Sequence, residues 1–540
     1  MLREVDSRAV WGPDAQAASL CTGFFRRAAE SPHRPALEVD GVALTYGELA
    51  ARARAIAAAL LEHGGGAGLP LTAVLAHRSA TAFAGVLGAL ARGHGYVPLN
   101  PGFPAARNRA MLDRAGCEAL IIDSRAAAEV SSLVEGLDRE LLLVLPDEEA
   151  VEPYAREWAP HRVVGARELR AGEALEPLPV RPSDPAYLLF TSGSTGAPKG
   201  MAVTHANVRA FLDAVAQRYD FTEGDRFSQT FSLTFDLSVF DLFVAWECGA
   251  CVCCPTEKSL LNPAQFIRRS KLTVWFSVPS IALFMRRLRV LKAGSFPTLR
   301  WSLFCGEALP AEVAREWSEA APNSAVENLY GPTEATIACT AYRRDAGRSP
   351  EESELGIVPI GHPLGEMSTL VTGDDLCEVR PGDAGELLLS GPQVVQGYWN
   401  DEEATARAFV SVDGRSYYRT GDRVRRPAGD GPLRYLGRLD DQIKVLGHRV
   451  ELGEVEAAIR EETGLDAVVA VGWPRTSAGA AGVAAFISGT RVDVGALRNR
   501  LARRLPTYMV PRELRVLPDL PLNANGKWDR GALIRLLDEG

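Results

Sequence analysis

No apolar run in this 540-residue chain reaches the roughly 20 residues that a membrane-spanning helix requires; residues 141–145 and 467–471 are of strand length. The first residues, Met1-Leu-Arg-Glu-Val-Asp-Ser7, are too charged for a secretory signal, so no membrane association and a cytoplasmic location are expected. Positive charge is in deficit: 59 Lys and Arg face 68 Asp and Glu, for a net charge of −9. No basic run is interleaved with aromatics, which argues against a nucleic-acid partner. No internal repeat is present. Cysteines are few and scattered except for Cys248, Cys251, Cys253 and Cys254. That spacing raises a metal or iron–sulfur site, but no histidine-bearing second cluster accompanies it. Residues 250–255 read instead as a buried strand, where free cysteine is a common small core residue.

What remains is globular material. Apolar residues make up 46% and charged residues 24% of a chain long enough for three or four domain-sized units. Near the start, Leu44-Thr-Tyr-Gly-Glu-Leu49 opens an alanine-rich amphipathic helix, with Thr45 as cap and Glu48 completing a capping box. Residues 71–98 read strand, helix, strand, and a second alternation runs over 107–145. Residues 146–184, rich in proline and charge, predict an irregular connection. Strands are then predicted near 227–231, 250–254, 273–276, 299–304 and 325–329, with helices between, such as 311–319. Such alternation implies mostly parallel sheets covered by helices. Residues 355–437 change to short strands and glycines, with a helix near 402–409. From 437 onward an α+β block is expected, with helices at 454–462 and 494–504 and strands at 467–472 and 483–487.

One stretch organises the rest: Phe190-Thr-Ser-Gly-Ser-Thr-Gly-Ala-Pro-Lys-Gly200 lies between predicted strands 186–189 and 201–204. It carries four hydroxyls, three glycines and Lys199. Glycines let backbone N–H groups approach an anion, hydroxyls add donors and lysine adds a point charge, so the loop reads as a phosphate cradle. It is not the common nucleoside-triphosphate loop, because Pro198 precedes Lys199 and Gly200 follows it. A flexible Ser/Gly linker is the alternative, but linkers rarely join two apolar strands.

Several further stretches, in order, resemble one family. They are Asn328-Leu-Tyr-Gly-Pro-Thr-Glu334, Tyr418-Arg-Thr-Gly-Asp422, Gly437-Arg-Leu-Asp440, Gly447-His-Arg-Val-Glu-Leu-Gly453, Leu505-Pro-Thr-Tyr-Met-Val-Pro511 and Asn523-Ala-Asn-Gly-Lys527. Together with the loop they resemble adenylate-forming enzymes, specifically the amino-acid adenylation domains of nonribosomal peptide synthetases and their stand-alone relatives. The resemblance implies an α/β fold. A large N-terminal domain (1–436) has two helix-covered sheet subdomains plus a small β-rich subdomain. A small mobile α+β C-terminal domain (437–540) follows, hinged at Asp440.

The same resemblance assigns roles. Thr191, Ser192, Gly193, Ser194, Thr195, Gly196 and Lys199 would grip the departing pyrophosphate of ATP. Asn328 would meet the exocyclic amine of adenine, Tyr330 would pack on its ring, and Thr333 would touch phosphate. Glu334 would help hold Mg²⁺, a hard cation content with one carboxylate plus phosphate oxygens. Asp422 would accept from both ribose hydroxyls, Tyr435 would flank the nucleotide, and Arg438 would meet ribose or phosphate. Lys527 is the expected principal catalytic lysine. Lys444 is the lysine expected at the site once the small domain has turned for a second half-reaction.

Asp236 decides the expected substrate class, since in this family an aspartate there pairs with an α-ammonium group. Its alternative is to cap the helix beginning at Leu237. The implied side-chain pocket is Leu237, Phe240, Phe276, Leu303, Cys305, Leu329, Ile337 and Ala338, which is small and apolar. That set is similar to prolyl-carrier-protein ligases, while Phe304-Cys-Gly-Glu307 is also similar to D-alanine:carrier ligases. The expected reaction is ATP-dependent adenylation of a small apolar amino acid, best L-proline, then transfer to the phosphopantetheine of a carrier protein. The carrier is expected to be separate, because little chain follows Lys527. The alternatives are an alanine:carrier ligase, an acyl- or aryl-CoA ligase, and a catalytically silent binding partner.

Overall fold

The computed structural model describes residues 19–64, 70–169, 175–193, 198–489, 492–522 and 528–539. Two helix-covered sheets form the large domain. The first has seven strands, parallel through Arg162–Gly165, Leu142–Leu145, Ala119–Ile122, Leu71–Leu75, Gly95–Leu99 and Pro185–Thr191, and is closed by antiparallel Lys199–Thr204. The phosphate-loop stretch therefore joins two hydrogen-bonded neighbours at a sheet edge, which excludes the linker reading. The second sheet has nine strands, its six central ones parallel and its edges antiparallel.

Helix Tyr46–His63 starts where the sequence predicts. Thr45 Oγ1 accepts from the Glu48 amide at 3.2 Å and Glu48 Oε2 accepts from the Thr45 amide at 2.8 Å. It crosses helix Ala80–Ala91, of which eleven of twelve residues are buried, as a helix apolar on every side requires. A Cβ on Gly88 would lie 2.8 Å from Ile56 Cγ2, so this crossing admits only glycine. The five strands predicted between 227 and 329 all form, as Arg226–Ser228, Cys251–Cys253, Val274–Ser277, Trp301–Phe304 and Ala325–Tyr330.

One local expectation differs. Residues 146–184 contain helix Glu152–Glu157 and edge strand Arg162–Gly165, whose burial runs exposed to buried along its length and so hides the period-two signal. Ahead of helix Tyr46–His63, where only the opening of that helix is read from the sequence, the hairpin Pro35–Val39 and Val42–Thr45 completes the second sheet, with Leu37 opposite Val252. The cysteine group divides between two cores. Cys251 and Cys253 point to one and Cys248 and Cys254 to the other, because side chains alternate along a strand. Such a split cannot surround one metal.

The β-rich subdomain comprises Ser368–Thr372, Ala384–Ser390, Phe409–Val412, Arg415–Arg425 and Arg434–Arg438, with helix Glu402–Ala408. The small domain follows, with strands Val468–Gly472, Val483–Ser488 and Glu513–Leu517 under helices Leu452–Thr463, Val494–Leu501 and Arg530–Asp538. Residues 439–441 join Arg434–Arg438 to the hairpin Gln442–Val445 and His448–Glu451. That hairpin points back into the large domain. Among the described residues no helix is long and apolar enough to cross a membrane.

Candidate active site

The carboxyl ends of strands, the β-rich subdomain and the small-domain hairpin enclose a cavity of about 620 Å³. Open α/β sheets place ligands at such ends. Asn328 and Tyr330 enter from Ala325–Tyr330, Asp422 from Arg415–Arg425, and Tyr435 and Arg438 from the antiparallel neighbour of that strand. Both oxygens of Asp422 are engaged: Arg438 Nη1 donates to Oδ1 at 2.9 Å and the Tyr330 hydroxyl donates to Oδ2 at 2.5 Å. Arg438 also binds Asp440, Nε to Oδ1 at 2.7 Å. Burial acts to raise Asp440, but Arg438 overrides it and holds the carboxyl below its usual range. Asn328 donates its amide to the carbonyls of Val358 and Pro359 at 3.2 and 2.9 Å. That fixes the amide's orientation and leaves Oδ1 buried without a partner among the described residues, an acceptor beside the cavity.

A second, smaller cavity of about 70 Å³ adjoins the first, the two sharing Gly306, Gly331, Pro332, Lys444 and Arg449. Thr191, Ser192, Asp236, Leu237, Cys305 and Thr333 face it. Asp236 precedes helix Leu237–Val239 yet makes no capping bond with its side chain, so the capping alternative falls. Burial lifts its carboxyl to about 6, opposed by a hydrogen bond from Thr333 and by the charge of Lys444. Burial, together with the charge of Arg449, lowers Lys444. Burial also pushes the Cys305 thiol to about 12, so it stays a neutral wall atom.

Between the cavities runs the turn 333–338. Thr336 and Ile337 both take positive φ, 53° and 73°, a strained choice for β-branched residues. Gln393, 1% exposed, over-determines the turn: its amide donates to the carbonyls of Ala338, Ala335 and Thr336 at 2.8, 3.3 and 3.4 Å. The turn fixes Glu334, which is fully buried, with Arg449 Nη1 at 2.9 and 3.0 Å from its two oxygens and the Tyr398 hydroxyl at 2.8 Å. Burial acts to raise Glu334, but Arg449 outweighs it and the carboxyl lies below its usual range. Lys199 stands 5.4 Å over the ring of Tyr398.

The donor set bears on Mg²⁺. Among the described residues no three His, Cys, Asp or Glu converge as a metal centre, so Glu334 is a lone carboxylate. That fits a hard cation whose other ligands are water and phosphate, and it fits only with Arg449 withdrawn, since Arg449 here takes both oxygens.

This geometry agrees with three comparisons. Residues 24–399 match the profile described as AMP-binding enzyme, and residues 454–527 match the AMP-binding enzyme C-terminal domain. The chain belongs to the AMP-binding enzyme family. Within it, the enzyme sits with the AMP-forming amino-acid–carrier protein ligases. It is 35% identical to an L-proline–[L-prolyl-carrier protein] ligase of Pseudomonas fluorescens, over 94% of this chain and 97% of the relative. It is 36% identical to a ligase of the same name from Streptomyces coelicolor, over 93% of each. The Vibrio cholerae adenylation domain AlmE, solved with glycyl-adenosine-5'-phosphate, superposes with a TM-score of 0.87 at 32% identity, over 96% of this chain and 98% of that one.

In this AMP-binding enzyme the residues expected at the nucleotide, Asn328, Tyr330, Asp422, Tyr435 and Arg438, line one cavity, joined by Leu329. Asp236, Leu237 and Cys305 line the other. The remaining pocket residues Phe240, Phe276, Leu303, Ile337 and Ala338 are fully buried in one apolar cluster with Leu237 and Cys305 instead of facing open space. Phe240 and Phe276 pack with centroids 4.7 Å apart, closing that end. Ser194, Thr195, Gly196 and Lys527 lie outside the described residues. Residues not singled out from the sequence also face the site: Arg107, Glu307, His448, Arg449 and Tyr508. Glu307 accepts from the amides of Ser280 at 2.8 Å and Gly447 at 2.5 Å, tying the small-domain hairpin to helix Pro279–Arg287. Gly447 has φ 85° and a Cβ there would strike Val278 at 2.5 Å, so that close approach requires glycine. Glu307, His448, Arg449 and Tyr508 each had a signal, their place inside a motif, and Arg107 had none.

Proposed function

We propose that this enzyme activates a small α-amino acid, best L-proline, as its adenylate and passes it to the phosphopantetheine thiol of a carrier protein. Asp236 carries the reading. It is a buried carboxylate facing a small cavity, where Thr333 and Lys444 offset only part of the effect of burial, and an α-ammonium group is a partner that ionises it favourably. The unpartnered Asn328 Oδ1 supports an amine donor, as adenine provides, in the larger cavity. The names of the relatives support the substrate size: two act on L-proline and the solved neighbour carries a glycyl group.

In the first step a carboxylate oxygen of the amino acid bonds to the α-phosphorus of ATP and the bond to the bridging oxygen breaks, releasing pyrophosphate. The substrate is its own nucleophile, so the protein's task is alignment and charge. Glu334, once Arg449 is withdrawn, would hold Mg²⁺, which would supply charge neutralisation on the phosphoryl oxygens. Tyr330, Tyr435 and Asn328 orient the base, Asp422 and Arg438 the ribose, and Thr333 a phosphate oxygen. Thr191, Ser192, Gly193 and Lys199 hold the leaving group, with Ser194, Thr195 and Gly196. Lys527 bridges the reacting carboxylate and phosphate. In the second step the carrier's sulfur attacks the carbonyl carbon and AMP leaves, with Lys444 at the site and Asp440 as the hinge. A smaller substrate, glycine or alanine, is the second reading, favoured by the cavity of about 70 Å³ and its closed end.

Amino-acid-dependent exchange of labelled pyrophosphate into ATP tests this across the common amino acids, D-alanine and aryl acids. L-Proline is expected to support the fastest exchange. Exchange with aryl acids alone would refute the assignment of Asp236.

A further inference from the structure

The small domain brings two charged side chains into the large domain. Glu454 lies in the first turn of helix Leu452–Thr463 and is 2% exposed. Its Oε1 accepts from Arg107 Nη1 at 2.6 Å and its Oε2 accepts from the amide of Gly193 at 3.2 Å. Arg107 belongs to helix Ala105–Ala115 of the large domain, is 8% exposed, and has an Nε with no partner among the described residues. A guanidinium and a glycine amide of the phosphate loop thus converge on the two oxygens of one anion. A phosphoryl group presents two oxygens with a similar span, and both donors suit it. Ser192, in the same loop, donates to the carbonyl of Arg449 at 2.8 Å and accepts from the amide of Glu451 at 3.2 Å. Alongside, Arg449 takes both oxygens of Glu334.

We propose that Arg107 is a pyrophosphate-binding residue and that Glu454 is a carboxylate stand-in that takes its place on Arg107 and Gly193 once pyrophosphate has gone. The small domain in this orientation carries an anion for the phosphate loop and a cation for Glu334. Pyrophosphate and this orientation then exclude one another. The domain closes for the second step only on an emptied loop, and returning pyrophosphate pushes it away. The proposal rests on the reading of the loop as the pyrophosphate grip, and it adds Arg107 to that grip and gives Glu454 a positioning role.

The test uses the full chain and magnesium pyrophosphate as the probe. Cys377 is the exposed cysteine among nine and takes one dye; Ala502→Cys on the small domain takes the other. Titrated pyrophosphate is expected to change energy transfer between them, and calorimetry to report its binding. Glu454→Gln removes the competitor's charge, so the half-saturating concentration falls several-fold. In that background Arg107→Ala raises it roughly tenfold, the loss of one charge-assisted hydrogen bond. A merely structural pair would weaken binding in both variants. Three results would overturn the proposal: no binding, binding without a change in energy transfer, or half-saturation unmoved by either substitution. None of these needs an amino acid. If the shifts appear while no acid supports exchange, the reading of the reaction falls and the anion exchange stands; the reverse outcome removes the anion exchange alone.

Discussion

Replacing Asp236 by asparagine removes a negative charge with little change in volume, and the structure sets two opposite consequences. Burial raises this carboxyl from its ordinary 3.8 to about 6. A folded-state pKa above the unfolded one means the folded chain binds the extra proton between those values, so stability falls as pH rises from about 4 to about 6. The difference corresponds to about 3 kcal/mol, reached in full above the folded pKa. Asp236→Asn should therefore melt higher than the parent at pH 8 without substrate, and the gap should close as pH falls toward 4. With amino acid the sign reverses. Loss of the charge leaves the α-ammonium group buried and unpaired, at a cost of about 3 kcal/mol, or about 100-fold in kcat/KM for exchange. In the parent, kcat/KM for exchange should rise as pH passes through 6, where Asp236 ionises. Scanning calorimetry at several pH values and pyrophosphate exchange read the two effects. A variant that melts lower at pH 8, or that keeps its substrate profile, would refute the reasoning.

Three further outcomes are expected. Lys527→Ala should cut exchange roughly 100- to 1000-fold with ATP affinity by calorimetry changed only a few-fold, and retained exchange would refute its role. Lys444→Ala should slow carrier loading, followed by mass spectrometry of the carrier, roughly 100-fold more than it slows exchange; equal losses would deny it a part in the second step. Gln393→Ala leaves buried carbonyls of the 333–338 turn unpaired and should destabilise the large domain by about 3 kcal/mol in chemical denaturation, with a loss below about 1 kcal/mol contradicting its structural importance.

The sheets and most of the cavity-lining residues were legible in the sequence because their signals are contiguous. A strand followed by Gly-Pro or a run of Ser, Thr and Gly announces both an element and a site within about ten residues. Edge strand Arg162–Gly165 was not, since a short strand with graded burial has no alternation to read. Phe240 and Phe276 were recognisable as apolar, but only packing shows that they close the cavity instead of lining it. The function of Asp236 was ambiguous because a helix cap and an ammonium partner use the same residue type at the same place. Arg107 and Glu454 are 347 residues apart, and nothing local to either predicts that they meet. Long-range charge pairs between domains leave no periodic trace.

In the proposed first step the substrate's own carboxylate attacks the α-phosphorus. This attack is tested most directly with L-proline, or the acid most active in exchange, labelled with ¹⁸O in its carboxylate and turned over with ATP and a carrier protein. One labelled oxygen is expected in each AMP released. Unlabelled AMP, or label found in orthophosphate, would contradict it.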